Sequence, residues 1–490
     1  MNNQTGLLIG FDLGTSTIKA LLSDTEGTIL AQASRPVKIL HPKKKIYEQE
    51  AKPYFQDICS VIRELLTKVA PPRQVLALSF CGATGNTLLL DKDFSPLGNA
   101  INWMDTRTAG KEDDLWPQLD TEYIYRTVGW PFSGVFPLAN LGWYKQSKPD
   151  LWNKTRYFTM LNDYIYYRLC SRLAVDPSKA TTFYLQNQET RQWEKGLLDF
   201  LEIDTGMLSE IIPSGTAVGT ITSKAAEETG LKEGTILVSG SFDHPSAARS
   251  TGIFKEGDVL ISAGTSWVAF APIEQRETGL KGKMLIDPFL SPAGCWGAMF
   301  SLPAITATIN VYLQNCIKAD DEASLLERFN QLAAGAEPGA DGFFLNLLHQ
   351  SYEETKEELR IVPEKNIARA LMEGVVLLIK NRLEKLTQLI QKPIGRIVLT
   401  GGPTKSPVWP SILSDILARP VVMPETGQHA GAMGAVIFAG TGAGIFKDDH
   451  DGYSRIRSKE KIIEPDPERT RLYNEVYHEY SARYNLTIKE

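Results

Sequence analysis

Long apolar runs are missing from this 490-residue chain, and none reaches the roughly 18–20 residues of a membrane-spanning helix. Excess positive charge is missing too. Lys and Arg total 52 against 58 Asp and Glu, a formal charge of −6, which leaves no electrostatic footprint for nucleic acid. The lysine cluster Lys43–Lys45 is too short to mean more than a solvated loop. Five cysteines (Cys59, Cys81, Cys170, Cys295 and Cys316) lie scattered without CxxC spacing, and six histidines show no ligand pattern, which argues against structural zinc. The N-terminus runs directly into a strand and lacks the basic region of a signal peptide. These absences point to a cytoplasmic protein with reduced thiols. The length predicts roughly two to four domains, and since no long Ser/Gly/Pro linker interrupts the chain, the halves are expected to be joined by short crossings near 235–255.

What is present centres on Leu237–Phe270, LVSGSFDHPSAARSTGIFKEGDVLISAGTSWVAF. A short apolar strand, Ile236–Ser239, delivers Asp243 and His244 into a loop, and Pro245–Thr251 reads as a closely packing small-residue helix. Asp258–Ser262 is a strand, Ala263-Gly264-Thr265-Ser266 a turn, and Trp267–Phe270 the returning strand. Such a turn offers the backbone N–H groups and hydroxyls a phosphate needs. A carboxylate at a strand end is placed to take a proton or hold a metal. The turn has a twin in Leu7–Ala20, LLIGFDLGTSTIKA, with Asp12 inside the first strand and Gly14-Thr15-Ser16-Thr17 at the bend. Two strand–GTS–strand units predict two similar halves, each giving a phosphate-holding hairpin to a shared cleft.

Between them, Thr28–Val37 is a strand, and apolar residues from Phe55 to Val69 follow one-faced helical spacing until Pro71-Pro72. Gln74–Phe80 is a buried strand, and Thr87–Asp91 with Ala100–Trp103 a hairpin. This order describes a mixed sheet with a helix on it. From Thr106 to Phe200 the chain is helix-rich and aromatic. Later, Gly297–Pro303 is a strand, Ala304–Gln314 a helix and Ile367–Ile390 a long amphipathic helix. The strand Arg396–Thr400 ends in Gly401-Gly402 and runs into a helix over Val408–Ala418, a natural anion or nucleotide seat. Gly427–Ala439 is a small-residue helix suited to close backbone approach, and Asp466-Pro467 caps a final helix.

Four motifs in order carry a resemblance over more than 400 residues: IGFDLGTSTIKA, NAINWMDTR, GSFDH with SAGTS, and LTGGPTKSPVWPSILSDILARPV with GAMGAVIFAG. Together they resemble the FGGY family of carbohydrate kinases. The resemblance implies an α/β fold of two ribonuclease-H-like (actin-like ATPase) domains flanking a central cleft. The expected division is a sugar-binding domain over 1–242, a nucleotide-binding domain over 243–447, and a C-terminal tail over 448–490. It implies ATP and Mg²⁺ as cofactors.

By residue, Asp243 matches the family's general base, and Asp12 its metal-side aspartate, holding Mg²⁺ through water, with Asp243 also facing the metal. Thr15, Ser16 and Lys19 match the first phosphate loop, and Gly264, Thr265 and Ser266 the second. Gly401 and Gly402 match the adenosine-binding turn, with Ser406 and Asn310 near adenine. Substrate-side positions are Thr84, Asn86, Trp103, Asp105 and His244. The chain departs from the family where glycerol kinases carry Arg-Glu and xylulokinases Met-His; here stand Ala83 and Thr84, then Gly85 and Asn86. Asn140 replaces the usual Lys of the first signature. The expectation is a kinase acting on a terminal hydroxyl of a small sugar or polyol: a ketopentose such as xylulose first, then gluconate, then a tetritol. An actin-like or chaperone-like ATPase switch and a silent sugar sensor are the rivals from other classes. No nucleic-acid or membrane partner is expected; a homodimer is the one assembly put forward, and the oligomeric state is left open.

Overall fold

The computed structural model describes residues 6–69, 73–111, 120–264 and 266–486. The principal strands are β1 (Leu7–Leu13), β2 (Thr17–Asp24), β3 (Ile29–Pro36), β4 (Val75–Gly82), β5 (Ala217–Thr220), β6 (Ile236–Val238), β7 (Val259–Ala263), β8 (Trp267–Ile273), β9 (Trp296–Leu302), β10 (Ile397–Gly401), β11 (Val421–Pro424) and β12 (Glu460–Ile463). The principal helices are α1 (Ala51–Thr67), α2 (Asp243–Ser250), α3 (Ile305–Cys316), α4 (Glu322–Ala334), α5 (Glu364–Ile390), α6 (Trp409–Leu417), α7 (Ala430–Gly442) and α8 (Pro467–Arg483).

The chain forms two compact units. The first comprises 1–252, 283–296 and 429–457; the second comprises 253–282, 297–428 and 458–490. This differs from the boundaries expected at 242 and 447: α2, with Asp243, belongs to the first unit, and so does α7. Small residues explain the second displacement. A Cβ on Gly10 of β1 would lie 2.0 Å from the Ala432 carbonyl oxygen of α7, so only glycine lets that strand and helix meet.

In the first unit the sheet runs β3-β2-β1-β4-β6-β5. β1 pairs antiparallel with β2 and parallel with β4, β4 is parallel to β6, and β6 is antiparallel to β5. Among β7 to β12 the second unit runs β9-β8-β7-β10-β11-β12. There β7 is antiparallel to β8 and parallel to β10, β10 is parallel to β11, and β11 is antiparallel to β12. The two halves read from the twin GTS hairpins thus share a hairpin, two parallel strands and an antiparallel edge, but the edge strand β5 precedes its neighbour β6 in sequence whereas β12 follows β11.

Alternation along β1 sorts its side chains. Ile9, Phe11 and Leu13 join the core formed with Phe55, Ile58, Val61, Ile62 and Leu65 of α1. Leu8 joins the opposite cluster with Val436, Ile437 and Phe438 of α7. A period of two therefore turns Gly10 and Asp12 toward α7. In the second unit Leu371, Val375, Leu378, Leu386 and Ile390 of α5 are buried as their spacing predicts. Asp466 caps α8 by accepting from the N–H groups of Glu468 and Arg469 at 3.0 and 2.9 Å. The hairpin expected over Thr87–Trp103 is reduced to isolated bridges, Thr87 to Ile101 and Leu90 to Pro96. Leu88–Leu90 pairs instead with Tyr157–Thr159, a partner no local pattern announces. Pro71-Pro72 lies outside the described residues. Among the described residues no helix is long and apolar enough to cross a membrane.

One buried carboxyl sets a pH dependence. Asp163 accepts from the Ser209 hydroxyl at 2.7 Å and from the Met160 N–H at 3.3 Å. Burial nevertheless pushes its pKa up from 3.8 to about 7. The folded protein therefore holds this proton more tightly than the unfolded chain. The resulting penalty is absent below pH 4, grows as pH rises to 7 and is complete above it. Asp163→Asn should stabilise the protein at pH 8 by up to about 4 kcal/mol, the gain fading to nothing near pH 4. Urea unfolding of both proteins across that range measures it.

Candidate active site

On the first unit, β1 carries Asp12 to the sheet's end, where Gly14 closes the turn by donating its N–H to the Thr17 carbonyl at 3.1 Å. Asp12 is half-buried, and its neighbour α7 begins one residue before Gly431. A Cβ on Gly431 would sit 3.0 Å from the Asp12 carboxylate, so this glycine lets the helix start against the acid. Burial pushes the Asp12 pKa up from 3.8 to about 6, the charge on Asp243 adds to the rise, and Lys19 opposes it. Lys19 stands directly across from Asp12 in the β1–β2 register and is exposed.

Asp243 occupies the first turn of α2 rather than the loop expected from sequence. Its carboxylate is 30% exposed, and its Oδ1 accepts from the His244 N–H at 2.7 Å. The His244 Nε2 stands 3.6 Å from the same oxygen, and its ring meets Phe242 edge-on at 5.4 Å. Trp103 donates its indole N–H to the Thr15 hydroxyl at 3.1 Å, tying a substrate-side residue to the first GTS turn. Asp12, Thr15, Trp103, Asp243 and His244 are all carried by this unit.

Three other substrate-side positions are engaged in the protein itself. Thr84 is buried and accepts from the Thr182 hydroxyl at 2.8 Å. Asn86 accepts from the Leu161 N–H at 2.7 Å, fixing the start of the helix Leu161–Cys170. Asp105 has no exposed surface. It accepts from the Tyr47 N–H at 2.7 Å and from Arg107 through Nε at 2.9 Å and Nη2 at 2.8 Å. Arg107 also pairs with Glu48 and lies 5.0 Å over the Trp143 ring. Asn140, in place of the usual Lys, donates to the Thr87 hydroxyl at 3.2 Å and accepts from Thr108 at 3.2 Å, so it is part of the packing.

On the second unit the other GTS turn is pinned to α3. Gly264 donates its N–H to the Ser266 carbonyl at 3.1 Å, Thr306 donates to the Gly264 carbonyl at 2.6 Å, and Ser266 accepts from the Ala304 N–H at 3.2 Å. Thr265 lies outside the described residues. Ala263 and Gly401 are partners in the β7–β10 ladder, which brings this turn beside the Gly-Gly pair. The two glycines differ. Gly401 has φ +92° and a Cβ there would lie 2.0 Å from the Ala263 carbonyl oxygen, a requirement of the sheet. A Cβ on Gly402 would meet nothing within 4 Å, so open space adjoins it. Ser406 accepts from the N–H groups of Val408 and Trp409, each at 3.1 Å, and so caps α6 while donating to Asn330. Asn310 lines a cavity of about 310 Å³ between α3 and α4, with Leu313, Ile317, Leu325, Asp321 and Glu322.

Comparison with known sequences decides the family. The model of the FGGY family of carbohydrate kinases, N-terminal domain, matches residues 7–249, and that of the C-terminal domain matches 259–443. The chain belongs to the FGGY family of carbohydrate kinases. An autoinducer-2 kinase of Klebsiella pneumoniae subsp. pneumoniae is 26% identical over 501 residues, covering 97% of this chain and 93% of the relative. A xylulose kinase of Bacillus subtilis is 26% identical over 500 residues, covering 98% and 97%. Among solved structures, xylulose kinase from Rhodospirillum rubrum superposes with a TM-score of 0.84 at 24% identity, covering 98% of each chain. Gluconate kinase from Lactobacillus acidophilus does so with a TM-score of 0.85 at 20% identity, covering 99% of each. The FGGY kinase described here therefore has the two-domain actin-like fold of these neighbours.

Proposed function

We propose that this FGGY kinase transfers the γ-phosphoryl group of ATP to a terminal hydroxyl of a small neutral sugar or polyol, a ketopentose such as xylulose first, with Asp243 as the general base. The supporting observation is the juxtaposition of two carboxylates, Asp243 and Asp12, on the unit that also carries the first GTS turn and Trp103. A sugar hydroxyl attacks poorly until its proton has an acceptor, and the partly exposed Asp243 carboxylate supplies one. Asp12 fits a hard cation. Its pKa stands at about 6 partly because a second negative charge lies nearby, and a divalent ion relieves that repulsion. No cluster of three or more His, Cys, Asp or Glu suited to a metal occurs among the described residues. That accords with Mg²⁺ held through water and one or two carboxylates, where it would neutralise charge on the phosphates.

Thr15, Ser16 and Lys19 would meet phosphate oxygens from the first unit; Gly264 and Ser266 are the phosphate-side candidates of the second. The open space beside Gly402 suits a nucleoside, whereas Ser406 would act on adenine only through the α6 terminus that it caps. Trp103 and His244 are the acceptor-side contacts. Thr84, Asn86 and Asp105 would shape that side from behind.

A neutral acceptor is placed ahead of gluconate, with Lys19, exposed across from Asp12, as the cation an aldonate would have to use. An aldonate asks for a cation, and three cations of this unit are already paired: Arg107 with Asp105, Arg249 with Asp449 and Lys179 with Asp176. The autoinducer-2 kinases, as similar to this chain as the xylulose kinases, make autoinducer-2 the second acceptor to test. A coupled assay of ATP turnover with xylulose, ribulose, gluconate, erythritol, glycerol and autoinducer-2 decides. One neutral acceptor should exceed gluconate in kcat/KM by about 100-fold or more. Hydrolysis indifferent to every acceptor would instead support the nucleotide switch.

A further inference from the structure

The side chain of Asp243 has little to aim it. Its tether, the N–H of His244, belongs to the adjacent residue, so the carboxylate points where the backbone of 242–244 sends it. That backbone is held from outside α2. The N–H of Phe242 donates to the Ser178 hydroxyl at 3.0 Å, and Ser178 donates in turn to Asp287 Oδ2 at 2.5 Å. Asp287 Oδ1 accepts from the Phe289 N–H at 2.7 Å. Ser178 and Asp287 are 4% and 1% exposed, so water does not compete for these bonds. The chain of donors has one polarity. A carboxylate at 287 obliges the Ser178 proton to point toward it, which leaves the serine lone pair for the Phe242 N–H.

The far end of α2 is gripped by the same segment. Arg249 donates through Nη2 to the Phe289 carbonyl at 3.0 Å, and its guanidinium lies 4.5 Å over the Phe289 ring. Residues 283–296, although flanked in sequence by stretches of the second unit, are part of the first. They therefore clamp α2 at its first and last turns, with Ser178 on the short helix Pro177–Thr181 as the intermediary.

We propose that Ser178 and Asp287 are positioning residues for phosphoryl transfer, acting through the Phe242 amide to set the direction of the Asp243 carboxylate. The proposal rests on the reading of Asp243 as general base. Misplacing a reacting group by about 1 Å can cost on the order of 100-fold, whereas nucleotide binding does not depend on this relay.

The experiment compares Ser178→Ala, Ser178→Thr, Asp287→Asn and Asp243→Asn in the full chain, on the acceptor identified by the panel. Ser178→Ala should lower kcat by about 10- to 100-fold with the KM for ATP within about 3-fold of the parent. Asp287→Asn keeps one acceptor oxygen and should lose less. Ser178→Thr retains the hydroxyl and should recover most of the loss. Wild-type kcat in Ser178→Ala alongside an inactive Asp243→Asn overturns the positioning role and leaves the base intact. An equal fall in kcat and in ATP affinity, with no recovery in Ser178→Thr, also overturns it, because a loosened fold would act on both. Full activity in Asp243→Asn would instead remove the base on which the proposal stands.

Discussion

Asp243→Asn should lower acceptor-dependent turnover by about 10²–10⁴-fold while leaving ATP affinity within about 3-fold. Asparagine keeps the shape of the side chain, and its carbonyl oxygen still accepts the His244 N–H that now bonds Asp243 Oδ1 at 2.7 Å. What disappears is the capacity to take a proton. The expected loss corresponds to about 3–5 kcal/mol of transition-state stabilisation. It should fall on kcat, since the hydroxyl proton moves only as the phosphoryl group transfers. The coupled assay gives kcat, and titration calorimetry with ATP gives the affinity. A variant that still turns over at the parental rate would mean that another group receives the proton.

Gly434→Ala should be the most damaging single methyl in the first unit. A Cβ at 434 would sit 2.0 Å from the Ser246 carbonyl oxygen and 2.5 Å from the Ser246 hydroxyl, well inside contact distance. Neither side has room to move. α2 and α7 are bonded across this approach by Ser246 donating to the Gly431 carbonyl at 2.9 Å and Ser250 donating to the Ala430 carbonyl at 2.7 Å. Overpacking costs about 1–3 kcal/mol, and against the Ser246 backbone, which cannot swing aside as a flexible side chain can, the upper end is expected. In a unit of this size that corresponds to a fall in Tm of roughly 3–5 °C, with turnover lost because the displaced helix carries Asp243. Gly98→Ala serves as the control, since a Cβ there meets nothing within 4 Å. Thermal unfolding of the two variants side by side checks the contrast, and equal Tm values would mean that the helix pair yields freely.

Much of this arrangement was legible in the sequence because it is locally encoded. The two GTS bends lie between apolar strands, and both form hairpins flanked by a parallel strand, β4 in one sheet and β10 in the other. The Gly401-Gly402 stop, the apolar face of α1 and the Asp466 cap are likewise patterns of a few residues. What escaped depends on partners far along the chain. Nothing near Ala430 says which sheet the helix will cover; the answer lies in Gly10, 420 positions earlier and without a side chain. Motif position placed Asp105 and Asn86 on the substrate side, yet it does not reveal that Arg107 and the Leu161 N–H already occupy their oxygens. Gly401 matches the adenosine-binding turn by motif position, and the structure adds a stricter reason for glycine there in the Ala263 carbonyl. The Ser178–Asp287 relay carries no local signature, since its members are 109 residues apart.

The discontinuity of the first unit bears on how the protein is made. By the time residue 252 leaves the ribosome, all six strands of its sheet exist, but the helix that covers Leu8, Leu21, Ala77 and Val238 is still some 180 codons away. That apolar face must wait, bare or provisionally shielded, until nearly the whole chain has been translated. Completion of the half that is synthesised first is therefore one of the last events in the life of the nascent protein.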